Sequence, residues 1–177
     1  MKISKIYSNK PNVFEAIEFN EGFNVIIGEI KLSENIGVDS HNLGKSKLTD
    51  LIDFGFLKQR NKSTFLFKHF ELFSEFIFFF EFKLNDGSFL TVKRAVDKNT
   101  QIYFKRHKSN LQNFSSLPDT EWDYKKLAFE KAKLLMDSFL NLSAVAPWNH
   151  RMALSYALRR QDDFNDIFQL RKFGPKH

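Results

Sequence analysis

The octapeptide Asp39-Ser40-His41-Asn42-Leu43-Gly44-Lys45-Ser46 sits between an apolar run, Phe23-Asn24-Val25-Ile26-Ile27-Gly28, and a segment with helical periodicity from Lys47 to Phe56. A strand, a loop ending in Gly-Lys-Ser and a helix together suit phosphate. Backbone N–H groups at the start of a helix have no partner within it, and the helix dipole favours negative charge there. In such a loop Lys45 reaches the β- and γ-phosphates and the Ser46 hydroxyl ligates Mg²⁺. The full pattern, G-x-x-x-x-G-K-[ST], asks for glycine where Asp39 stands, whereas Gly44, Lys45 and Ser46 fit. The residues alone leave two readings open: a P-loop with one flaw, or a Gly-Lys-Ser met by chance.

Working outward, Leu48, Leu51 and Ile52 recur at i, i+3, i+4 and predict one buried helical face, with the helix ending near Gly55. Upstream, Val25-Ile26-Ile27 does not alternate, which predicts a buried strand over Phe23 to Gly28. Two earlier strands are read at Lys2 to Tyr7 and Val13 to Phe19, with turns at Ser8 to Asn12 and Asn20-Glu21-Gly22. The polar stretch Glu29 to Asp39 reads as an inserted loop. Downstream, strands are predicted at Thr64 to Phe67, Glu75 to Leu84, Ser88 to Val96 and Gln101 to Lys105. The Asn85-Asp86-Gly87 turn is the strongest hairpin signal. Together these strands predict an antiparallel meander. Its Phe76 to Phe82 strand carries aromatics on both faces and so should be covered on both. A long helix is predicted over Glu121 to Leu142, with Asp119 or Thr120 as N-cap and a break at Ala146-Pro147-Trp148. The stretch His150 to Arg160 fits a helix or a strand equally.

Composition excludes several classes. No cysteine is present, so disulfides, thiol chemistry and Cys-ligated zinc are out, and the five histidines lack ligand spacing. The longest apolar run, Phe76-Ile77-Phe78-Phe79-Phe80, is too short to span a bilayer, and the start of the chain lacks a signal-peptide apolar region. These features predict a cytoplasmic protein without membrane partners. A net charge of +6 suits nucleotides, nucleic acid or an acidic partner. The length suits one domain, 1–177.

A P-loop helix followed by an antiparallel meander differs from kinases and GTPases, where a βαβ crossover follows. The order resembles the N-terminal lobe of an ABC-type ATPase head of the SMC, RecN and RecF kind. The opening is similar too, with a strand ending Ile17-Glu18-Phe19, then Gly22 and Asn24 to Gly28. Closest in pattern are bacterial SMC-like ATPases of the ABC-three-component type. They carry an Asp-Ser-x-Asn-x-x-Gly-Lys-Ser/Thr loop after a long insert, then Leu-Ile-Asp-Phe, and they also lack the first glycine. Here the loop is one residue tighter and Leu51-Ile52-Asp53-Phe54 follows. The segment Ala153 to Phe168 resembles the same group, and the resemblance assigns Gln161 to the Q-loop, contacting Mg²⁺ and the attacking water. Read from residues alone, Gln161 is a solvated polar turn.

The resemblance implies an α/β (α+β) P-loop NTPase fold: an ABC-type head N-terminal lobe with a mixed sheet and an antiparallel β meander. It implies ATP and Mg²⁺ as cofactors, with Asn42, Leu43, Gly44, Lys45, Ser46 and Lys47 on the nucleotide and Ser46 and Gln161 on the metal. Lys47 stands where many relatives place a second hydroxyl against the α-phosphate; its ammonium replaces that contact or points to solvent. The family's signature motif, Walker B carboxylates and switch histidine are absent from the 177 residues. The expectation is therefore a lobe that binds ATP–Mg²⁺ but hydrolyses it only when completed by a C-terminal head half or a second head. Its expected setting is DNA repair, chromosome handling or phage defence, with DNA a further partner. Two other classes stay open. One is a non-catalytic DNA-binding or interaction module using a basic strip of Lys58, Arg60, Lys62, Arg94, Lys105, Arg106 and Lys108. The other is a small-molecule kinase, which the meander fits poorly.

Overall fold

Alternation of Phe78, Phe80 and Phe82 with Phe79 and Glu81 builds a strand whose two faces are both buried. The computed structural model, which describes residues 1–27, 45–143 and 147–158, places this strand inside a six-stranded sheet. In chain order the strands are β1 (Lys2–Ser8), β2 (Ile17–Glu18), β3 (Ile77–Lys83), β4 (Phe89–Ala95), β5 (Gln101–His107) and β6 (Tyr124–Ala128). Their order across the sheet is β2-β1-β3-β4-β5-β6, and every pairing is antiparallel. The helices are α1 (Lys45–Gly55), α2 (Phe65–Lys68), α3 (Phe70–Phe73), α4 (Phe129–Phe139) and α5 (His150–Ala157). The fold class is α+β. Among the described residues no helix is long and apolar enough to cross a membrane.

The main core lies on one sheet face, where Ile6, Phe78, Phe80, Phe82, Val92 and Phe104 meet Leu51 and Phe54 of α1 and Ala132 and Met136 of α4. The other face carries Tyr7, Phe79, Tyr103 and Trp122, with Phe114 and Leu117 packed against them. The loop after β5 covers it. That loop is fastened by the buried Glu81, whose carboxylate accepts from the Ser4 hydroxyl at 2.7 Å and from the N–H groups of Leu111 and Gln112 at 2.8 and 3.0 Å.

The meander from β3 to β5 follows the sequence reading. The Asn85-Asp86-Gly87 turn forms with Gly87 at φ +82°, and Asp86 accepts from the Ser88 N–H at 2.9 Å. Several other elements differ. The sheet expected to be mixed is antiparallel in all its described pairings. Of the strand expected over Val13 to Phe19 only Ile17–Glu18 pairs. The N–H groups of Val13 and Phe14 instead turn back to the Lys10 carbonyl, and Phe14 packs edge-on to Phe78.

The described part of the expected strand Phe23 to Gly28 is neither paired nor buried; Phe23 is 90 % and Ile27 75 % exposed. The Asn24 side chain closes the preceding turn onto Asn20 and Gly22, so a side chain occupies the turn where a second strand would have begun its ladder. Thr64 to Phe67, read as a strand, is helical from Phe65, because the Thr64 carbonyl accepts from the N–H groups of both Phe67 and Lys68. The helix expected over Glu121 to Leu142 is split into a 3₁₀ turn (Asp119–Glu121), β6 and α4. Burial of Trp122 against Phe79 and Tyr103 draws that segment across the sheet, and Lys126 takes a left-handed φ of 50° that a helix cannot include. Asp119 does not cap a helix but bonds Lys93 and the Tyr103 hydroxyl, each at 2.7 Å. His150 to Arg160, left open between two states, is helical over its first eight residues, with the Asn149 side chain accepting from the Met152 N–H at 3.0 Å.

Candidate functional site

Helix α1 begins at Lys45, directly after the Gly44 of the phosphate-binding pattern. Ser46 and Lys47 stand exposed in its first turn. The Lys47 ammonium lies 5.9 Å from the centre of the Phe65 ring, a cation–π contact with the start of α2. Of the residues expected to hold ATP, Asn42, Leu43 and Gly44 lie outside the described residues, as does Gln161, and Lys45 is described only as backbone. Ser46 and Lys47 thus stand side by side in the described part of α1, while Gln161, expected on Mg²⁺, lies outside the described residues.

What the sequence reading missed is how the far end of the same helix is held. Its last turn closes with Lys58 N–H bonding the Asp53 carbonyl at 3.0 Å and Leu57 N–H bonding the Phe54 carbonyl at 3.1 Å, a Schellman pattern. Leu57, not a glycine, holds the left-handed position at φ 59°. Gly55 lies one turn position inside, where a Cβ would come within 2.4 Å of the Phe80 ring. The helix ends at Gly55 as the sequence reading expected, but the glycine is required by close packing on β3 and the left-handed position falls to Leu57.

Two arginines and an imidazole gather on the carbonyls of this end. Buried Arg94 of β4 donates to Phe54 O at 2.7 Å, Lys58 O at 2.9 Å and Asn99 O at 2.9 Å, with its guanidinium 4.0 Å from the Phe54 ring centre. Arg151 of α5 donates to Phe56 O at 3.2 Å. The His150 ring lies between the Asp137 carboxylate at 2.8 Å and Phe56 O at 3.2 Å. Positive groups at a helix C-terminus meet the negative end of its dipole. Burial lowers the Arg94 pKa and the nearby Arg151 lowers it further, yet Arg94 stays protonated at neutral pH. Burial also lowers the His150 pKa, against the upward pull of Asp137. The last turn of α1 is clamped to β4 and α5.

Asp53 ties this clamp together. It pairs with Lys58 and with Arg151, both at 2.6 Å. Burial pushes its carboxyl up, but the bonds from Lys58 and Arg151 prevail and hold it below the usual carboxylate range. A carboxyl depressed on folding contributes stability above its unfolded pKa of about 3.9, and that contribution is lost as pH falls through the lower folded value. Asp53→Asn is therefore expected to cost about 1–3 kcal/mol at pH 7. Urea unfolding at pH 7 and at pH 2.5 checks it: the gap between variant and wild type should narrow at the acid value. A gap of the same size at both pH values would mean that the charge is not what matters.

The basic strip expected from the sequence is not one surface. Arg94 is inside the core, Lys105 pairs with Asp123 at 2.9 Å, and Arg106 pairs with Asp86. Lys58, Arg60 and Lys62 remain together beside the clamp. As for Mg²⁺, the exposed Ser46 hydroxyl fits the one protein oxygen that a P-loop supplies, the other ligands being phosphate oxygens and water. No cluster of three metal-ligating side chains occurs among the described residues. No protein-family model, no curated protein and no solved structure matches this chain.

Proposed function

We propose that the chain is an ATP–Mg²⁺-binding lobe of an SMC-like ATPase head, in the setting of DNA repair, chromosome handling or phage defence. The observation that carries this reading is that the described part of α1 opens on Lys45 and Ser46 of the Gly44-Lys45-Ser46 sequence. A helix start of this kind offers unpaired N–H groups and a positive dipole end to phosphate. The clamp on the last turn supports the reading, because it fixes the helix on the sheet without occupying that start. In this role Asn42 to Lys47 surround the triphosphate, Lys45 contacts the β- and γ-phosphates, Ser46 ligates Mg²⁺, and Gln161 meets the metal and the attacking water. The antiparallel sheet and the unpaired Phe23 to Ile27 depart from the expected head. The reading therefore stands on the loop–helix junction and on the sequence resemblance.

Hydrolysis in this scheme needs a signature motif and a Walker B carboxylate from a C-terminal head half or a second head, since the 177 residues hold neither. The test is a titration with a fluorescent ATP analogue, with and without Mg²⁺. Wild type is expected to bind in a Mg²⁺-dependent way, and Lys45→Ala to weaken binding at least about tenfold through loss of a charge-assisted phosphate contact. Equal binding by the two proteins would overturn the P-loop role. Steady ATP turnover by the chain alone, abolished in Lys45→Ala, would overturn the need for a completing half.

A further inference from the structure

Beside the clamped end of α1 lies an open cleft of about 700 Å³ along the segment Leu57 to Lys62. Five cations line it: Lys58, Arg60 and Lys62 from that segment, Lys133 from α4 and Arg151 from α5. They come from three separated parts of the chain and are joined only by the fold, with Lys133 and Arg151 absent from the strip that the sequence suggested. One buried carboxylate, Asp53, faces Lys58 and Arg151, and Glu130 meets Lys133 at 3.0 Å. For Arg60 and Lys62 no carboxylate lies within ion-pair distance among the described residues, so the cleft keeps a positive excess. The Arg60 guanidinium is braced at 5.1 Å from the centre of the Phe67 ring and 5.5 Å from that of Phe70. Bracing a long side chain in advance reduces the entropy lost when it binds, and a planar fork of donors matches phosphate oxygens.

The lining also says what kind of polyanion fits. Among the described residues no aromatic ring lines the cleft, whose other lining residues are Leu57, Gln59 and Asn61. Proteins that hold single strands place ring faces where bases can stack, and none of the described residues lining this cleft is aromatic. Separated cations with polar amides between them suit a backbone whose phosphates are held at regular spacing and whose bases are already stacked. We infer that the Lys58–Lys62 segment, Lys133 and Arg151 form a docking surface for the phosphate backbone of a nucleic-acid duplex. The surface is independent of the nucleotide reading, since it lies at the opposite end of α1 from Lys45.

The test measures binding of a fluorescein-labelled 30-base-pair DNA duplex, and of one of its single strands, by anisotropy without ATP across a salt series. Arg60→Gln/Lys62→Gln removes two charges, and both side chains are exposed, so the unfolding midpoint should fall only slightly, through loss of the Arg60 ring contacts. Loss of two phosphate contacts is expected to weaken duplex binding about 10-fold or more near 0.1 M salt and to lower the log–log salt slope by about two. Lys98→Gln/Lys108→Gln, an equal charge change at two exposed lysines outside the cleft, should alter affinity less than about threefold. Lys45→Ala should bind duplex as wild type does, which keeps this result separate from the nucleotide test. The inference fails if wild type does not bind duplex, if the two double variants weaken equally, or if the single strand binds more tightly than the duplex.

Discussion

Arg94→Met is expected to lower the unfolding free energy by about 3 kcal/mol, read as a fall in the urea midpoint at unchanged slope. The methionine is similar in reach and apolar, so the change removes charge and donors without opening a large void. Two effects then oppose each other. Removing a charge from the interior relieves its desolvation, which is why some buried ions can be replaced without loss. Against that, three carbonyls lose a charge-assisted donor, and those of Lys58 and Asn99 lie where α1 and the β4–β5 turn close against the core. Hydrogen bonds to charged groups contribute about 1.5–3 kcal/mol each, so losing three outweighs the relief. Arg94→Lys should recover only part of the loss, because an ammonium on a shorter stem cannot span carbonyls at residues 54, 58 and 99. A methionine variant as stable as wild type would show that the guanidinium is neutral in the balance.

The second large effect has the opposite sign from what helix propensity predicts. Alanine in place of glycine inside a helix normally stabilises by about 1 kcal/mol. Gly55→Ala should instead destabilise by about 1–3 kcal/mol, because the new Cβ meets three carbons of the Phe80 ring at 2.4, 2.6 and 2.7 Å. Phe80 cannot step aside easily; it is buried in the main core, with Phe54 at 6.3 Å and Phe78 at 6.5 Å between ring centres. A fall in Tm of roughly 2–4 °C per kcal/mol is the readout for a chain of this size. Gly22→Ala is the control, since nothing lies within 4 Å of the Cβ it would add. An unchanged or raised Tm for Gly55→Ala would mean that α1 can shift on the sheet, and the clamp at its end would then be looser than its distances suggest.

How far the sequence could be read depends on which force shaped each element. The strands β3, β4 and β5 were legible because local signals agree there: period-two burial, β-branched and aromatic residues, and an Asn-Asp-Gly turn that fixes register. Helix α1 was legible too, from the apolar spacing of Leu48, Leu51 and Ile52. Beyond these, tertiary contacts decide. Trp122 and Lys126 sit in a segment whose apolar spacing looks helical, but burial of one indole against Phe79 sets its path. Val25-Ile26-Ile27 has the composition of a buried strand, yet the middle of the sheet belongs to β3. For the candidate site, the helix could be read and the clamp could not, because a lone arginine in a strand looks like a surface residue. One signal did exist. Lys93 and Arg94 are adjacent in a strand and must face opposite sides, while the neighbouring strand carries Phe78 and Phe79 on both sides. With both faces covered, one of the two cations had to be inside.

The pairing of β1 with β3 also bears on how the chain reaches this state. Tyr7 lies opposite Phe79 across a gap of some seventy residues, whereas β3, β4 and β5 are joined by short turns. Loop closure is costlier for the long gap, so the meander can assemble while β1 is still searching. During that interval the edge of β3 that β1 later covers is open, and it presents consecutive phenylalanines with a free ladder of backbone groups. The strand that ends as the best-protected part of the sheet is, early in folding, its most association-prone edge, and the seven residues of β1 act as its internal guard.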